Sequence, residues 1–259
     1  MTETPAATPT GGAAVLPPLP LDGVERVLCV VAHPDDMEYG ASAAVAAWGE
    51  AGIEVSYLLL THGEAGMAED PAVIGPLRAS EQRAACDRVG VERLTMLDHP
   101  DGMLVADLAL RRDVAREIRR VRPQLVVTAA FGVEEYGALN QADHRAAGIT
   151  TADACRDAAN PWVFRELVTE EHLESWEPLA LLVAGDQRPT HASTVQEQHV
   201  RAAVDSLRAH AAYLEHVTGH PAPEDFIPGI LREGGAAAGT GHAVTWRVHQ
   251  LGGIAAGDD

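Results

Sequence analysis

The amino-acid sequence predicts an α/β protein with a doubly wound, mostly parallel sheet and helices on both faces. Short apolar runs rich in β-branched residues, such as 27–31 (VLCVV), alternate along the chain with longer helical segments, such as 108–121. This alternation is typical of parallel sheets. In addition, His, Asp and Glu residues follow directly after several of the apolar runs. Doubly wound sheets bind ligands at that edge, beyond the carboxyl ends of their strands.

Each element follows from a local pattern. Apolar runs too short for helices predict buried strands at 27–31, 55–60, 94–97, 125–128 and 179–183. Longer segments with polar residues on one side predict helices at about 40–51, 77–89, 108–121, from near Asp143, and 195–216. Pro123 ends the third of these helices, because proline disfavours helical backbone in the residue before it.

The length of 259 residues is compatible with one α/β domain, which we expect to span 23–259. Residues 1–22 are rich in Thr, Pro, Gly and Ala and lack the features of a secretory signal, so we expect a flexible leader. Small residues also predict loose segments at 234–241 and 257–259, because they bury too little apolar surface to offset the entropy of ordering.

Charge and composition exclude several function classes. The formal charge of −19 argues against a nucleic-acid partner, since phosphate binding needs clustered positive charge. All 19 basic residues are Arg, so mechanisms that need a lysine Schiff base or a P-loop lysine are excluded. Apolar runs approaching the roughly 20 residues of a membrane helix are absent, which argues against membrane insertion. A small-molecule partner is the remaining expectation, and the sequence leaves a homo-oligomer open.

The cysteine pattern indicates neither a disulfide framework nor a thiolate metal site. Cys29, Cys86 and Cys155 are odd in number, far apart and never paired as C-x-x-C. A reducing cytoplasm fits this pattern.

A candidate metal site follows the first predicted strand. His33 and Asp36 are three residues apart, and a turn fixed by Pro34 can bring both to one metal ion, with Asp35 beside the ion as a base. His144 is the best-placed third ligand, after the predicted strand at 125–128. Two His and one carboxylate with an open fourth position form the pattern of a catalytic zinc, although these ligands do not exclude iron. The alternative is a polar turn that caps the next helix.

Several motifs together resemble the LmbE-like or PIG-L deacetylase family. In chain order they are AHPDDMEYG (32–40), THGEAG (61–66), R-x-x-E (78–81), HPDG (99–102) and DHRAAG (143–148). The match covers 25–150 and weakens through about His216, which leaves a divergent C-terminal part. The resemblance implies a Rossmann-like fold, Zn²⁺ held by His33, Asp36 and His144, and Asp35 as general base. It also implies deacetylation of N-acetylglucosaminyl compounds or, in some members, cleavage of thiol-conjugate amides.

The chain departs from the family at one catalytic position. Gln141 stands where the family commonly has a His, three residues before the last metal ligand. A glutamine amide can donate a hydrogen bond to an oxyanion but cannot serve as an acid. The neighbouring Asp143 is expected either to orient a metal-binding His or simply to cap the helix.

Four further residues are candidates for substrate binding. The family uses the residue that matches Arg78 near substrate, although an ion pair with Glu81 one helical turn along is an equal alternative. Asp101 lies where the third strand should end but could be a turn residue. Glu64 occupies a similar loop, and His210 matches a recurrent family His.

The resemblance and the motifs together predict an amidohydrolase that removes an N-acyl group, acetyl above all, from an amino-sugar-like molecule. One alternative is a thiol-conjugate amidase of the same fold. Another is a non-catalytic sugar-binding member, which Gln141 makes worth considering and intact His33, Asp35, Asp36 and His144 argue against.

Overall fold

The computed structural model describes residues 15–135 and 137–252. The strands are β1 (Arg26–Val31), β2 (Glu54–Leu59), β3 (Arg93–Met96), β4 (Leu125–Ala129), β5 (Glu134–Glu135), β6 (Ala138–Leu139), β7 (Ala180–Ala184), β8 (His191–Thr194) and β9 (Ala243–Gln250). The helices are α1 (Ser42–Glu50), α2 (Pro71–Val89), α3 (Leu108–Val121), α4 (Ala142–Ala159), α5 (Glu166–Thr169), α6 (Glu197–Arg208), α7 (Ala211–His216) and α8 (Pro223–Ala238).

The sheet order explains where a ligand site must lie. A seven-stranded sheet runs β3-β2-β1-β4-β7-β9-β8, with parallel pairing from β3 to β7 and antiparallel pairing of β9 with β7 and β8. The strands that follow β1 in the chain, β2 and β3, lie on one side of it, whereas β7, which follows β4, lies on the opposite side of the sheet. The crevice between the carboxyl ends of β1 and β4 is therefore the topological switch point, where such sheets bind ligands. The prediction of a mostly parallel α/β sheet is confirmed.

Alternating side chains of each central strand build two hydrophobic cores. Along β1, Val27, Cys29 and Val31 pack with α1, α2, α6 and α8, whereas Leu28 and Val30 pack with α3 and α4. All five side chains are buried. Period-two alternation between two apolar layers is what a strand covered on both faces requires, and it holds the loops at the carboxyl ends of the strands on a rigid base.

The C-terminal part differs most from the predicted elements. The sequence analysis missed β8 and β9, and residues 234–238, expected to be loose, form the last turn of α8. The reason is tertiary, because Gly234 lies so close to the carbonyl oxygen of Ala243 that a Cβ would overlap it. The predicted helix 195–216 is also interrupted, with His210 standing between α6 and α7.

Part of the expected leader is packed against the sheet. Leu19 is buried, its N–H donates to the carbonyl of Ala192 (2.8 Å), and the Ala192 N–H donates to the carbonyl of Pro17 (3.0 Å). The expectation of a flexible segment is therefore wrong for residues 15–22, because β8 is an edge strand whose unpaired backbone groups bind them. Residues 1–14 and the C-terminal 257–259 lie outside the described residues. Within the described ranges, the helices are too short or too polar to cross a bilayer.

Candidate active site

Three side chains form a compact ligand cluster at the switch point. The Asp36 Oδ1 and His144 Nε2 atoms are 3.1 Å apart, and the Asp36 Oδ2 and His33 Nδ1 atoms are 3.7 Å apart. One ligand atom from each of the three residues lies within 4.8 Å of the others. Two imidazoles and one carboxylate at this spacing fit a divalent transition metal such as zinc.

The chain folds locally to present His144. This residue lies in the first turn of α4, and its Nδ1 is 3.1 Å from the Oδ1 of Asn140. The Asn140 amide nitrogen in turn donates to the carbonyls of Ala130 and Gly132, each at 3.1 Å. Since the Asn140 oxygen can only accept, it fixes a proton on His144 Nδ1, so that Nε2 is the nitrogen that faces Asp36 and would bind an ion. The sequence analysis missed Asn140, and no motif signalled it.

Two other carboxylates, those of Asp101 and Asp143, lie beside the second ring nitrogen of His33 and fix its orientation. Its Nε2 lies 3.0 Å from Asp101 Oδ1 and 3.4 Å from Asp143 Oδ2. The Asp143 carboxylate also accepts backbone N–H bonds from Gly102 (2.7 Å) and Leu104 (3.1 Å). The N-cap of α4 is Gln141 and not Asp143, so the interpretation of Asp143 as a helix cap is wrong. His33, Asp101 and Asp143 could themselves hold a metal, but the two carboxylates already bind the loop backbone.

The carboxyl groups of the adjacent Asp35 and Asp36 have pKa values that are shifted in opposite directions. Burial raises the pKa of the Asp35 carboxyl and outweighs the opposing charge of Arg78, so that this pKa is about 7. For Asp36 burial acts in the same direction, but the charges and hydrogen bonds of His144 and His33 prevail and hold its pKa well below the usual range. Burial lowers the pKa of His33, yet the hydrogen bonds that its ring donates to the surrounding carboxylates raise this pKa to about 12. Asp36 thus stays ionised beside the two histidines, whereas Asp35 can exchange a proton near neutral pH.

The backbone at Asp35 is held in an uncommon conformation. Its φ is 81°, in the left-handed region that non-glycine residues rarely adopt. The Asp35 N–H donates to the Gln82 side-chain oxygen at 2.9 Å, and the Asp35 Oδ2 atom lies 3.2 Å from the Arg78 Nη2 atom. Strain of about 1–3 kcal/mol at such positions persists when surrounding contacts fix the residue, as the contacts with Gln82 and Arg78 do here.

Arg78 is a buried clamp between two loops. It is 2% exposed and donates to the carbonyls of Pro34 (2.8 Å) and Gly63 (3.1 Å). Its guanidinium also stacks 4.1 Å from the ring centre of Tyr213. Gly63 has a φ of 63°, and a Cβ there would overlap the guanidinium. The alternative of an Arg78–Glu81 ion pair is wrong, because Glu81 accepts the backbone N–H of Ala212 instead (2.6 Å).

A polar cavity of about 430 Å³ opens above these groups. Seven of the predicted site residues line it: His33, Asp35, Asp36, Arg78, Asp101, Gln141 and His144. Two tyrosines that the sequence analysis missed, Tyr39 and Tyr213, also line it. Tyr39 lies within the first motif, 32–40, but Tyr213 lies on α7, where the sequence carries no signal. The Gln141 side chain is exposed and makes no capping hydrogen bond, so its amide can reach a ligand in the cavity.

Two predicted substrate contacts lie behind the cavity wall. Glu64 does not line it, and its Oε1 instead accepts the backbone N–H of Asp101 at 3.0 Å. His210 has no exposed surface, and its Nε2 is 3.7 Å from the Glu38 Oε2 atom. Neither side chain lines the cavity in this structure, so direct substrate contact is not supported for Glu64, and burial prevents it for His210. The physical reason is burial, since the junction of α6 and α7 covers His210.

Fold and site together define the class of protein as a Rossmann-like α/β protein with a two-histidine, one-carboxylate centre at the switch point. Residues 28–155 match the PIG-L family, described as GlcNAc-PI de-N-acetylase. The chain belongs to this family over that segment, which contains all three residues of the centre. The resemblance inferred from the sequence motifs is thereby confirmed.

Relatives and solved structures agree with this assignment. The chain is 30% identical over 145 residues to a diacetylchitobiose deacetylase of Thermococcus kodakarensis, covering 55% of this chain and 53% of that protein. It is 30% identical over 182 residues to a 1D-myo-inositol 2-acetamido-2-deoxy-alpha-D-glucopyranoside deacetylase of Kineococcus radiotolerans, covering 55% and 50%. The chain thus spans about half the length of these relatives. The fold resembles N,N'-diacetylchitobiose deacetylase from Pyrococcus horikoshii, with a TM-score of 0.79, 18% identity and coverage of 89% and 86%.

Proposed function

We propose that this protein is a zinc-dependent hydrolase that removes an N-acyl group from an amino-sugar-like small molecule. The observation that carries the proposal is the placement of Asp35, a buried carboxyl with a pKa of about 7, beside the cluster of His33, Asp36 and His144 at the floor of a polar cavity. A base next to a metal-ligand set is what amide hydrolysis requires.

The residues around the cluster supply the remaining steps. His33, Asp36 and His144 would hold the ion, which when bound acidifies a water molecule and withdraws electron density from the acyl carbonyl. Asp35 accepts a proton from the attacking water as its oxygen bonds to the acyl carbon. The carbon–nitrogen bond then breaks, and Asp35 returns the proton to the leaving amine. Gln141 donates an amide N–H to the negative charge that develops on the acyl oxygen.

The polar cavity supports an amino-sugar substrate. Arg78, Asp101 and Tyr213 offer hydrogen-bonding groups at its wall, and the matched relatives are named as deacetylases of N-acetylated sugars. A non-catalytic sugar-binding protein would not need Asp35 beside a metal-ligand set, so the geometry favours the enzyme. A reducing cytoplasm is supported by the three cysteines, which are free and buried.

Acetate release tests this proposal. Zinc-loaded protein would be incubated with N,N'-diacetylchitobiose and with N-acetylglucosaminyl inositol, and the expected result is stoichiometric acetate and free amine. An Asp35→Asn protein with the same zinc content serves as the control and should release little acetate. Cleavage of a thiol-conjugate amide without acetate release from either sugar would show that the amidase alternative is right and the proposal wrong.

A further inference from the structure

A second, larger cleft adjoins the candidate active site. Its volume is about 620 Å³, and it shares Asp36, Tyr39 and His144 with the polar cavity. This volume lies within the range of small-molecule sites and far exceeds the space that one methyl group needs. We propose that the cleft binds the acyl chain of the substrate, so that the preferred substrates are amino sugars N-acylated by an uncharged, medium-length alkyl chain. This inference rests on the proposed hydrolysis of an N-acyl amide.

The position of the cleft assigns it to the acyl side of the scissile bond. The polar cavity lies over the loops that follow β1, β2 and β3, whereas the cleft lies over the carboxyl ends of β4 and β7 and against α8 and β9. Asp36 and His144 stand between the two spaces. An amide whose carbonyl lies at these residues can direct its sugar, on the nitrogen side, towards the Arg78 wall. Its acyl carbons then point into the cleft.

The lining of the cleft fits a hydrocarbon chain. Phe226, Ile230 and Ala237 line it from α8, and Val244 lines it from β9. Tyr39 packs edge-on against Phe226 with 5.8 Å between ring centres and so forms the wall between the two spaces. These surfaces stabilise a buried alkyl chain through the hydrophobic effect.

Charge excludes an acidic acyl chain. The lining includes the carboxylates of Asp186 and Glu233 but no arginine among the described residues, and the chain contains no lysine. A succinyl or glutaryl group whose amide lies at Asp36 and His144 would therefore extend its carboxylate away from that centre, towards like charges and no arginine. The occupant is a neutral chain.

The cleft is a property of the C-terminal part of this chain. The eight lining residues that α8 and β9 contribute lie beyond the segment 28–155 that matches the family. The family resemblance therefore predicts the reacting centre but not this cleft.

A chain-length series provides the test. N-acetyl-, N-butanoyl-, N-hexanoyl- and N-octanoylglucosamine would be compared as substrates of the zinc-loaded protein. We expect kcat/KM to rise about twofold to fourfold per added methylene, since fourfold corresponds to the roughly 0.8 kcal/mol gained per buried methylene. N-succinylglucosamine should gain nothing over the acetyl compound.

Matched variants locate the effect. Ala237→Trp fills the cleft from an exposed position of α8 and should lower the octanoyl-to-acetyl ratio of kcat/KM at least tenfold. Ala236→Trp adds the same ring at the neighbouring exposed position, which does not line the cleft, and should keep the wild-type chain-length profile. Equal profiles for the two variants would contradict the assignment.

Binding separates failure of this inference from failure of the proposed function. Zinc-loaded Asp35→Asn protein would be titrated with N-octanoyl- and N-acetylglucosamine, and the octanoyl compound should bind at least tenfold more tightly. Turnover of the acetyl compound with no gain for octanoyl in rate or binding overturns the acyl cleft and leaves the hydrolase intact. Tighter octanoyl binding without turnover of any amide overturns the hydrolase and supports the cleft. A rate gain for the octyl glycoside of N-acetylglucosamine instead would assign the cleft to the aglycone and overturn the inference.

Discussion

At the scale of single residues, local environment gives two identical carboxyl groups different pKa values. Asp35 and Asp36 are adjacent carboxylates, yet burial dominates at Asp35 and raises its pKa to about 7, while two imidazoles hold Asp36 ionised. Pairs of titratable groups whose surroundings drive their pKa values apart commonly take different catalytic roles. This contrast supports the assignment of Asp35 as base and Asp36 as ligand.

Substitution of the two aspartates should separate base from ligand. Asp35→Asn should lower kcat by about a hundredfold to ten-thousandfold, as expected for loss of a general base, while zinc content stays near one ion per chain. Asp36→Ala should lose the metal, because it removes the central carboxylate of the cluster. Metal analysis of purified proteins and acetate-release kinetics measure both effects. An Asp35→Asn protein with wild-type turnover would show that another group accepts the proton.

Substitutions at Gln141 test the position at which this chain has a glutamine where the family commonly has a histidine. Its amide borders the cavity without a capping hydrogen bond, so we expect it to act on charge that develops during the reaction. Gln141→Ala should lower kcat by about tenfold to a thousandfold, the range for loss of one oxyanion donor, with KM and zinc content little changed. Gln141→Glu is a useful comparison because it keeps the shape but removes the donor. An unchanged kcat in Gln141→Ala would place this residue outside the reacting centre.

At the scale of elements, one buried arginine ties α3 to the end of α4. Arg119 is 2% exposed and donates to the carbonyls of Ala158 (3.1 Å), Asp157 (3.1 Å) and Asn160 (2.8 Å). The last carbonyls of a helix lack partners within the helix, and a guanidinium with several donors can satisfy them together. Arg119 therefore fixes α4, the helix that carries His144 at its other end.

Substitution of Arg119 should destabilise the protein. Arg119→Met should lower the free energy of unfolding by about 2–4 kcal/mol, because it removes several buried hydrogen bonds donated by a charged group, each of which contributes about 1.5–3 kcal/mol. Arg120→Met removes a half-exposed guanidinium whose partner, the buried Glu117, keeps a second ion pair with Arg93, and it should cost no more than about 1 kcal/mol. Urea unfolding of both variants measures the difference. Equal losses would mean that the buried hydrogen bonds of Arg119 contribute no more than a surface pair.

At the scale of the whole molecule, the proposed metal ligands come from two halves of the sheet. His33 and Asp36 follow β1, and His144 lies on the helix after β4, so an ion bound to all three links the strands on either side of the switch point. Such an ion binds the folded chain but has no matching site in the unfolded chain. Metal binding should therefore stabilise the fold.

Thermal unfolding can measure this coupling. Zinc at a hundred times its dissociation constant should stabilise the folded state by about 2.7 kcal/mol, which corresponds to a rise in Tm of roughly 5–11 °C for a chain of this size. Chelator should reverse the rise, and Asp36→Ala should abolish it. A zinc-dependent rise that persists in Asp36→Ala would locate the stabilising ion elsewhere in the molecule.

The sequence by itself determined the fold class and the edge of the sheet at which the candidate site lies. Both depend on short-range patterns, since buried parallel strands require continuous apolar runs, as at 27–31, and strand ends place their loops at one edge of the sheet. The motif at 32–40 therefore predicted that His33, Asp35 and Asp36 lie together, and the helix near Asp143 predicted the approach of His144.

Tertiary structure decided how those residues are held and what surrounds them. Asn140, Tyr213 and Arg119 carry no local signal, because their roles come from partners that only folding brings near. Glu64 and His210 carry a family signal but lie behind the cavity, because packing of α6 and α7 and the loop before Asp101 fixes their exposure. The cleft along α8 and β9 arises from the same cause, since its walls come from elements that are distant in sequence and adjacent only in the folded sheet.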